Sequence, residues 1–316
     1  MSLLNNKFAL TFDYFNNVRY DQLVTSQSLL LNIGVGVSPA NIARVRNHGA
    51  ELELNYNDHI GEFNYNVKGV LTHFKNKVLF QDEPSPAFPW LQLTGQQINQ
   101  PLGYKFDGFY TQENIDLSAK PSGGYQVQPG DLRYKDLNGD GVIDDFDRTY
   151  IGRPNVPNTS FGLTLGGNYR GFSFNVLFQG TTGYSFSVQG AGIEPFQSQF
   201  QPIHLERWTP STASSAKFPR LTTNPTTVNS PSAYMSDFWL IDATYLRLKT
   251  VELGYQLPDK WLPLKINNAR FYLSGYNLFT WTNYSLYQQD PEVTSNTAGD
   301  AYQNQRVINL GVQIGL

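Results

Sequence analysis

The sequence predicts an all-β protein: an antiparallel transmembrane β-barrel with short periplasmic turns and long extracellular loops. Three observations carry this reading. Apolar and polar residues alternate at period two along segment after segment, the mark of a strand with two unlike faces. The connections between these segments are alternately very short and very long, as in outer-membrane barrels. Aromatic residues make up 14% of the 316 residues and charged residues only 16%, against about 25% charged in ordinary soluble domains.

Taken in order, the strands are expected at 6–16, 48–57, 62–74, 91–99, 104–113, 159–169, 172–183, 243–257, 268–281 and 304–316. In the first, Phe8, Leu10, Phe12 and Tyr14 share a face opposite Lys7, Thr11 and Asp13. The second sets Leu52, Leu54 and Tyr56 against Glu51, Glu53 and Asn55. The third opposes Phe63, Tyr65, Val67 and Leu71 to Asn64, Asn66 and Lys68. In "GFSFNVLFQG", Phe172, Phe174, Val176 and Phe178 face away from Ser173, Asn175 and Gln179. At the end, Ile308, Leu310, Val312, Ile314 and Leu316 alternate with Asn309, Gly311, Gln313 and Gly315. Most of these segments reach the roughly 9–11 residues that a tilted membrane strand needs. Helical periodicity is nearly absent, and only "PIHLERW", residues 202–208, suggests a short helix.

Arg170-Gly171 reads as a two-residue hairpin turn. Asn57–Gly61 and Pro258–Asn267 read as two further short turns. The long connections are roughly 17–47, 114–158, 184–242 and 282–303, and compact soluble domains rarely carry several loops beyond about 15 residues. If Arg170-Gly171 is periplasmic, strand parity makes all four long loops extracellular and both chain ends periplasmic. Alternation alone suits a soluble β-sandwich equally, since one face would then be core instead of lipid-facing; loop asymmetry and aromatic content favour the barrel.

A formal net charge of -3 provides no basic patch for nucleic acid. The absence of cysteine excludes disulfides, thiolate metal sites and a cysteine nucleophile. No run of eighteen apolar residues occurs; the longest apolar stretch, Leu29 to Val37, is interrupted by Asn32, Gly34 and Gly36. The start, "MSLLNNKFALTFDYF", lacks the basic and apolar regions of a signal peptide.

One loop stands out chemically. "DLNGDGVIDDFD", residues 136–147, follows the register of a calcium loop: Asp136, Asn138 and Asp140 at positions 1, 3 and 5, and Gly141 at the sharp turn. The carbonyl of Val142 follows at 7, Asp144 at 9, and Asp147 at 12 in place of the usual bidentate glutamate. An all-oxygen donor set favours a hard cation, and structural Ca2+ is the expected cofactor. The competing reading is an uncoordinated turn rich in Asp, Asn and Gly. Adjacent Asp144 and Asp145 do not suit a glycosidase pair, because neighbours on a turn point apart. His48, His59, His73 and His204 are scattered and read as surface or rim residues. Neither a phosphate loop nor a catalytic serine elbow is present. Trp281 with Tyr284, and Trp261, suit an aromatic belt; Trp90 and Trp239 suit either a belt or sugar stacking.

The segments "NHGAELELNY", "GDLRYKDLNGDGVIDDFDRTYIGRPNVPNTSFGLTLGGNYRGFSFNVLFQG", "RWTP…AKFPRL", "DATYLRLKTVELGYQLP" and "FYLSGYNLFTWTNY…DPEV" together resemble the SusC/RagA-type TonB-linked outer-membrane transporters. They occur in that family's order across most of residues 43–316. The resemblance implies the C-terminal part of a barrel of about 22 strands in a Gram-negative outer membrane, the ten strands here being part of that larger barrel. It also implies a SusD-like lipoprotein and TonB as partners of the intact protein, and oligosaccharide or peptide as imported cargo. Residues 1–316 are thus expected to form a single partial barrel domain, without the plug, the TonB-contacting segment and the N-terminal strands. Leu316 departs from the aromatic residue that usually ends outer-membrane barrels. The alternative function is a secreted or surface-bound β-rich glycan-binding module with a structural calcium loop; no constellation supports an enzyme.

Overall fold

The computed structural model describes residues 2–3, 7–26, 38–190, 193–196, 200–223, 228–263, 266–293 and 302–315. The apolar stretch Leu29 to Val37 and the final Leu316 lie outside the described residues. Eight long strands form one antiparallel sheet in sequence order: β1 (Phe8–Val24), β2 (Ala40–Ile60), β3 (Phe63–Phe80), β4 (Thr159–Tyr169), β5 (Phe172–Thr182), β6 (Tyr245–Gln256), β7 (Asn268–Thr282) and β8 (Val307–Gly315). Ser2–Leu3 adds a two-residue strand along β1. Among the described residues, neither edge of the sheet pairs with a further long strand.

The register explains why the sheet holds one arrangement. Cross-strand partners share a face, and the apolar residues meet row by row. One row runs Phe12, Leu52, Leu71, Phe161 and Gly180. Another runs Phe174, Leu253, Leu273 and Leu310. Slipping any strand by one residue would move its whole apolar set to the other face. These rows are not covered: Leu310 is 82% exposed and Ile308 68%, and Phe12, Phe271, Phe279 and Trp281 are exposed as well. Exposed apolar surface on this scale, continuous across eight strands, marks a face that meets something other than water.

All short connections lie at one end of the sheet. Gly61–Glu62 joins β2 to β3, and Arg170–Gly171 joins β4 to β5 with both residues at positive φ (46° and 87°), as a type I′ turn requires. The third connection, Leu257 to Asn267, contains the one-turn helix Asp259–Trp261. At the opposite end, residues 25–39, 81–158, 183–244 and 283–306 form the long connections.

Four expectations are corrected. Segments 91–99 and 104–113 are not strands of the sheet. The first begins in a one-turn helix, Pro89–Leu91, and is broken by Gly95 and Asn99 at positive φ. In the second, Leu102–Tyr104 pairs with Arg148–Tyr150 and Phe106–Phe109 with Leu132–Tyr134, the latter pairing interrupted by Gly108 at positive φ. Because two strands are lost, parity is unchanged, and 81–158 becomes a single excursion on the loop end. Thirdly, the first three strands are far longer than expected. Asn16, Asn17, Arg19 and Gln22 interrupt the apolar alternation, but backbone pairing with β2 continues past them through bulges around Asp21 (φ 53°). Fourthly, the β2–β3 turn sits at Gly61–Glu62 instead of Asn57–Gly61.

The long connections build a second hydrophobic centre above the sheet. Tyr104, Leu132, Tyr134, Ile143, Val188, Ile193, Ile203, Phe218, Val228 and Trp239 are buried together there. The short helix expected within 202–208 appears as Pro202–Glu206 and contributes Ile203 to this core. Asp131, wholly buried, ties the two largest loops together. It accepts hydrogen bonds from Gln128 N (2.8 Å), Asn229 Nδ2 (2.8 Å), Tyr125 Oη (3.1 Å) and Arg220 Nε (2.6 Å). Gly130 precedes it at φ 90°, pressed against the Trp208 ring where a methyl group would not fit.

Candidate functional site

The face opposite the apolar rows is polar and carries matched charges. Lys68 Nζ lies 2.7 Å from Glu53 on the neighbouring strand. Arg270 pairs with Glu252 at 2.5 Å and also donates to Ser173 Oγ at 3.3 Å. Alternation puts these residues on the same side as Thr72, Ser160, Thr164, Asn175, Gln179 and Thr280.

Near the loop end this face holds a buried charge cluster. Arg247 of β6, whose side chain is 1% exposed, donates from Nη1 to Glu292 (2.7 Å), from Nη2 to Asp290 (2.9 Å) and from Nε to Thr280 Oγ1 (2.9 Å). Lys249 Nζ reaches both oxygens of Glu292, at 2.9 and 2.6 Å. Tyr245 Oη and Asn304 Nδ2 also donate to Glu292, at 3.2 and 3.1 Å. A register shift between Leu248 and Thr250 creates a bulge that leaves Lys249 unpaired in the ladder, re-aiming it towards the same carboxylate as Arg247. The segment after β7 is thereby drawn onto the polar face, where an Asx turn from Asp290 to Glu292 N (2.8 Å) shapes its tip. Sequence reasoning missed this cluster. Its cations and its acids lie more than forty positions apart, and only the strand register and loop return bring them together.

The expected metal ligands fall as follows. Asp136 accepts from Gly139 N (2.6 Å) and Gly141 N (2.8 Å); Asp140 accepts from Val142 N (2.8 Å) and Asn138 Nδ2 (2.8 Å). Asp144 caps the one-turn helix Asp145–Asp147 through Phe146 N (2.8 Å). Asp147 is fully buried and binds Leu137 N (2.7 Å) and Asp144 N (3.0 Å), closing the loop on itself. Among the described residues no three acidic or histidine side chains converge in a ligating arrangement. The donor chemistry fits a hard cation, since each carboxylate oxygen holding an N–H keeps a further lone pair; the convergence is not present in this conformation. Val142 pairs with Lys120 in a short parallel bridge that fastens the loop to its neighbour.

Other expected sites are partly relocated. Trp281 is exposed on the apolar face and Trp261 at the turn end, as a belt requires. Tyr284 is instead buried, edge-on to Phe186, because the chain turns inward after β7. Trp239 is buried in the loop core and Trp90 stacks on Phe88, its indole donating to Phe146 O at 2.8 Å. Both rings are occupied by protein contacts. His59 and His73 are exposed and His48 is half-buried, its Nδ1 enclosed without a hydrogen-bond partner, while His204 is buried, its Nε2 2.9 Å from Ile193 O. Burial pushes the Tyr110 and Tyr287 phenols up to about 12 and holds Tyr134 well above the usual range.

The comparisons align with this geometry. Over 342 residues the chain is 29% identical to TonB-dependent receptor P26 of Formosa agariphila, covering 99% of this chain and 33% of that protein. It is 26% identical to TonB-dependent receptor P3 of the same organism, with the same coverage. It is 22% identical to TonB-dependent receptor SusC of Bacteroides thetaiotaomicron, covering 87% of this chain and 27% of that protein. The chain is a relative of SusC-type TonB-dependent receptors. The relationship places it in the outer membrane of a Gram-negative bacterium. No family model matches the sequence. The fold agrees with the RagAB peptide importer in its "open-open" state, with TM-score 0.75, 19% identity, and coverage of 100% of this chain and 33% of that one. The structure of the RagAB peptide transporter gives TM-score 0.74 over 99% of this chain. The chain spans about a third of the length of the curated relatives it matches.

Proposed function

We propose that this chain forms part of the barrel wall and outer loop cap of a TonB-dependent importer of oligosaccharides or peptides. The observation that carries the reading is the one-sidedness of the sheet: exposed apolar rows on one face, paired charges and hydroxyls on the other. In a barrel the first face meets lipid and the second lines the passage for cargo. The open edges of the sheet, β1 and β8, are where further strands would continue the wall, because an unpaired edge in a membrane leaves backbone groups without partners. On this reading the loop end, with its own hydrophobic core, is the surface a SusD-like lipoprotein would cover, and TonB engages from the turn end. The acidic loop 136–147 is proposed as a structural Ca2+ site holding the 81–158 excursion.

The test is uptake. A strain carrying the full-length protein is offered labelled oligosaccharide or labelled peptide, with and without TonB, and outer membranes are fractionated in parallel. TonB-dependent accumulation of one cargo class supports the proposal. A protein that leaves the membrane without detergent, binds glycan and accumulates nothing supports instead the surface glycan-binding module, which would leave Leu310, Ile308 and Phe12 in water.

A further inference from the structure

The apolar face changes character towards the loop end. On β3 the outward series runs Leu71, His73, Lys75, Lys77, and on β2 the matching series runs Leu52, Ala50, His48, Arg46. The register sets Lys75 beside His48 and Lys77 beside Arg46, so three cationic side chains and a histidine lie directly above the hydrocarbon-facing rows. Arg153, from the connection leading to β4, completes the band. With His73, Lys75, Gln97 and Asn158 it lines an open groove of about 660 Å³. The groove is roofed by residues 95–98, which dock on β3 through Val78 N to Gln96 O and Gly95 N to Val78 O, both 2.9 Å.

These cations have no counter-charge of their own. Arg46, Lys75, Lys77 and Arg153 take part in no ion pair among the described residues, whereas Lys68, Arg247, Lys249 and Arg270 on the polar face are all paired. On β1 and β2, Asp13, Glu51 and Glu53 point to the opposite face by alternation, and Asp21 lies beyond at the bulge; past the end of β3, Asp82 accepts from Ser26 Oγ and Glu83 from the amides of Leu93 (2.9 Å) and Thr94 (2.8 Å). Like charges packed at strand spacing repel, costing a few tenths of a kcal/mol per pair or more. The arrangement therefore calls for an anion from outside. Its position decides which kind: a headgroup attached to chains that lie on the apolar rows just below.

We propose that Arg46, Lys75, Lys77 and Arg153, with His48 and His73, bind the phosphate groups of a phosphorylated glycolipid in the outer leaflet. This rests on the outer-membrane placement and on the loop end being the outer one. The ligand's acyl chains continue onto Leu52, Leu71 and Phe161, and its phosphates sit in the band and groove. Polar Gln97 and Asn158 supply neutral hydrogen bonds to the sugar hydroxyls.

The experiment uses the full-length protein carrying this chain, extracted from outer membranes in detergent. Native mass spectrometry measures binding of lipid A and of enzymatically dephosphorylated lipid A. The expected result is at least a tenfold loss of phosphorylated lipid binding in Lys75→Glu/Lys77→Glu/Arg153→Glu, with no change in Lys260→Glu, a cation at the turn end. Lys75→Arg/Lys77→Arg retains binding, and the dephosphorylated lipid binds the unaltered protein at least tenfold more weakly. Heat-modifiable migration verifies folding; if the triple reversal does not fold, Lys75→Gln/Lys77→Gln is read in its place. A loss of less than tenfold in a folded variant, or equal binding of the two lipids, overturns the proposal while leaving the membrane placement intact. A protein absent from the outer-membrane fraction overturns both.

Discussion

Glu292→Ala puts the buried cluster to the test. In the folded protein this carboxylate neutralises Arg247 at 2.7 Å and Lys249 at 2.6 Å while Asp290 takes the other guanidinium nitrogen. Removing it leaves two cations against one acid. Lys249, whose side chain is 29% exposed, turns to water at little cost, but Arg247 at 1% has no solvent to turn to. Breaking one partner of a buried pair costs about 3–5 kcal/mol, because the surviving charge stays desolvated. Lys249→Ala removes only a partly solvated contact and should cost about 1 kcal/mol or less. At about 1.4 kcal/mol per tenfold change, Glu292→Ala should raise the open population of the segment after β7 by roughly two to three and a half orders of magnitude. Hydrogen exchange of the amides at 284–293 in detergent reads that opening directly. The reasoning is refuted if Glu292→Ala exchanges like the unaltered protein, or if Lys249→Ala opens the segment as far.

Three further outcomes are expected. Calorimetric titration of the folded protein should show one calcium site that Asp140→Ala abolishes; a flat titration removes the metal and leaves a self-bonded turn. Asp147→Ala strands the amides of Leu137 and Asp144 and should cost the loop about 1–3 kcal/mol whether or not a cation binds, read by proteolysis within 136–147. Raising the pH should melt the loop cap before the sheet. The Tyr110 and Tyr287 phenols are raised to about 12 against about 10 unfolded, so only the unfolded cap loses protons between these values, and stability falls across that window. Near-ultraviolet circular dichroism should show no loss below about pH 9.5; a loss there, with the phenols still neutral, contradicts the burial argument.

How much of this was legible beforehand depended on distance along the chain. Period-two alternation located all eight long strands to within a few residues at one end, and the last five at both, because each segment carries its own face assignment. It failed for 104–113, whose Tyr104, Phe106 and Phe109 serve a second core in the loops, and for 91–99, where Gly95 and Asn99 at positive φ break the extended backbone. Alternation records that a side chain is buried on one side but not against what. It also stopped short in β1 and β2, where backbone pairing, invisible in side-chain pattern, carries the ladder beyond Asn16. The acidic loop was visible as a register, yet its aspartates are satisfied by backbone N–H groups a few residues away, which no spacing rule distinguishes from a metal site. The cluster of Arg247, Lys249, Asp290 and Glu292 needed the bulge at Lys249 and the inward return at Tyr284. The cationic band needed the β2–β3 register to set Arg46 and His48 beside Lys77 and Lys75.

The central claim is that one face of the sheet meets lipid and the other meets water, and β8 offers the cleanest site to measure it. These 316 residues hold no cysteine, so single cysteines placed along Ile308 to Ile314 in the full-length protein, with any cysteine outside them replaced by serine, report without background. A lipid-phase maleimide should label Ile308→Cys, Leu310→Cys, Val312→Cys and Ile314→Cys, while a water-soluble one should label Asn309→Cys and Gln313→Cys; Gly311 is left unaltered because its position is closed by the Tyr272 ring. Uniform labelling from water, or protection of both sets alike, contradicts it.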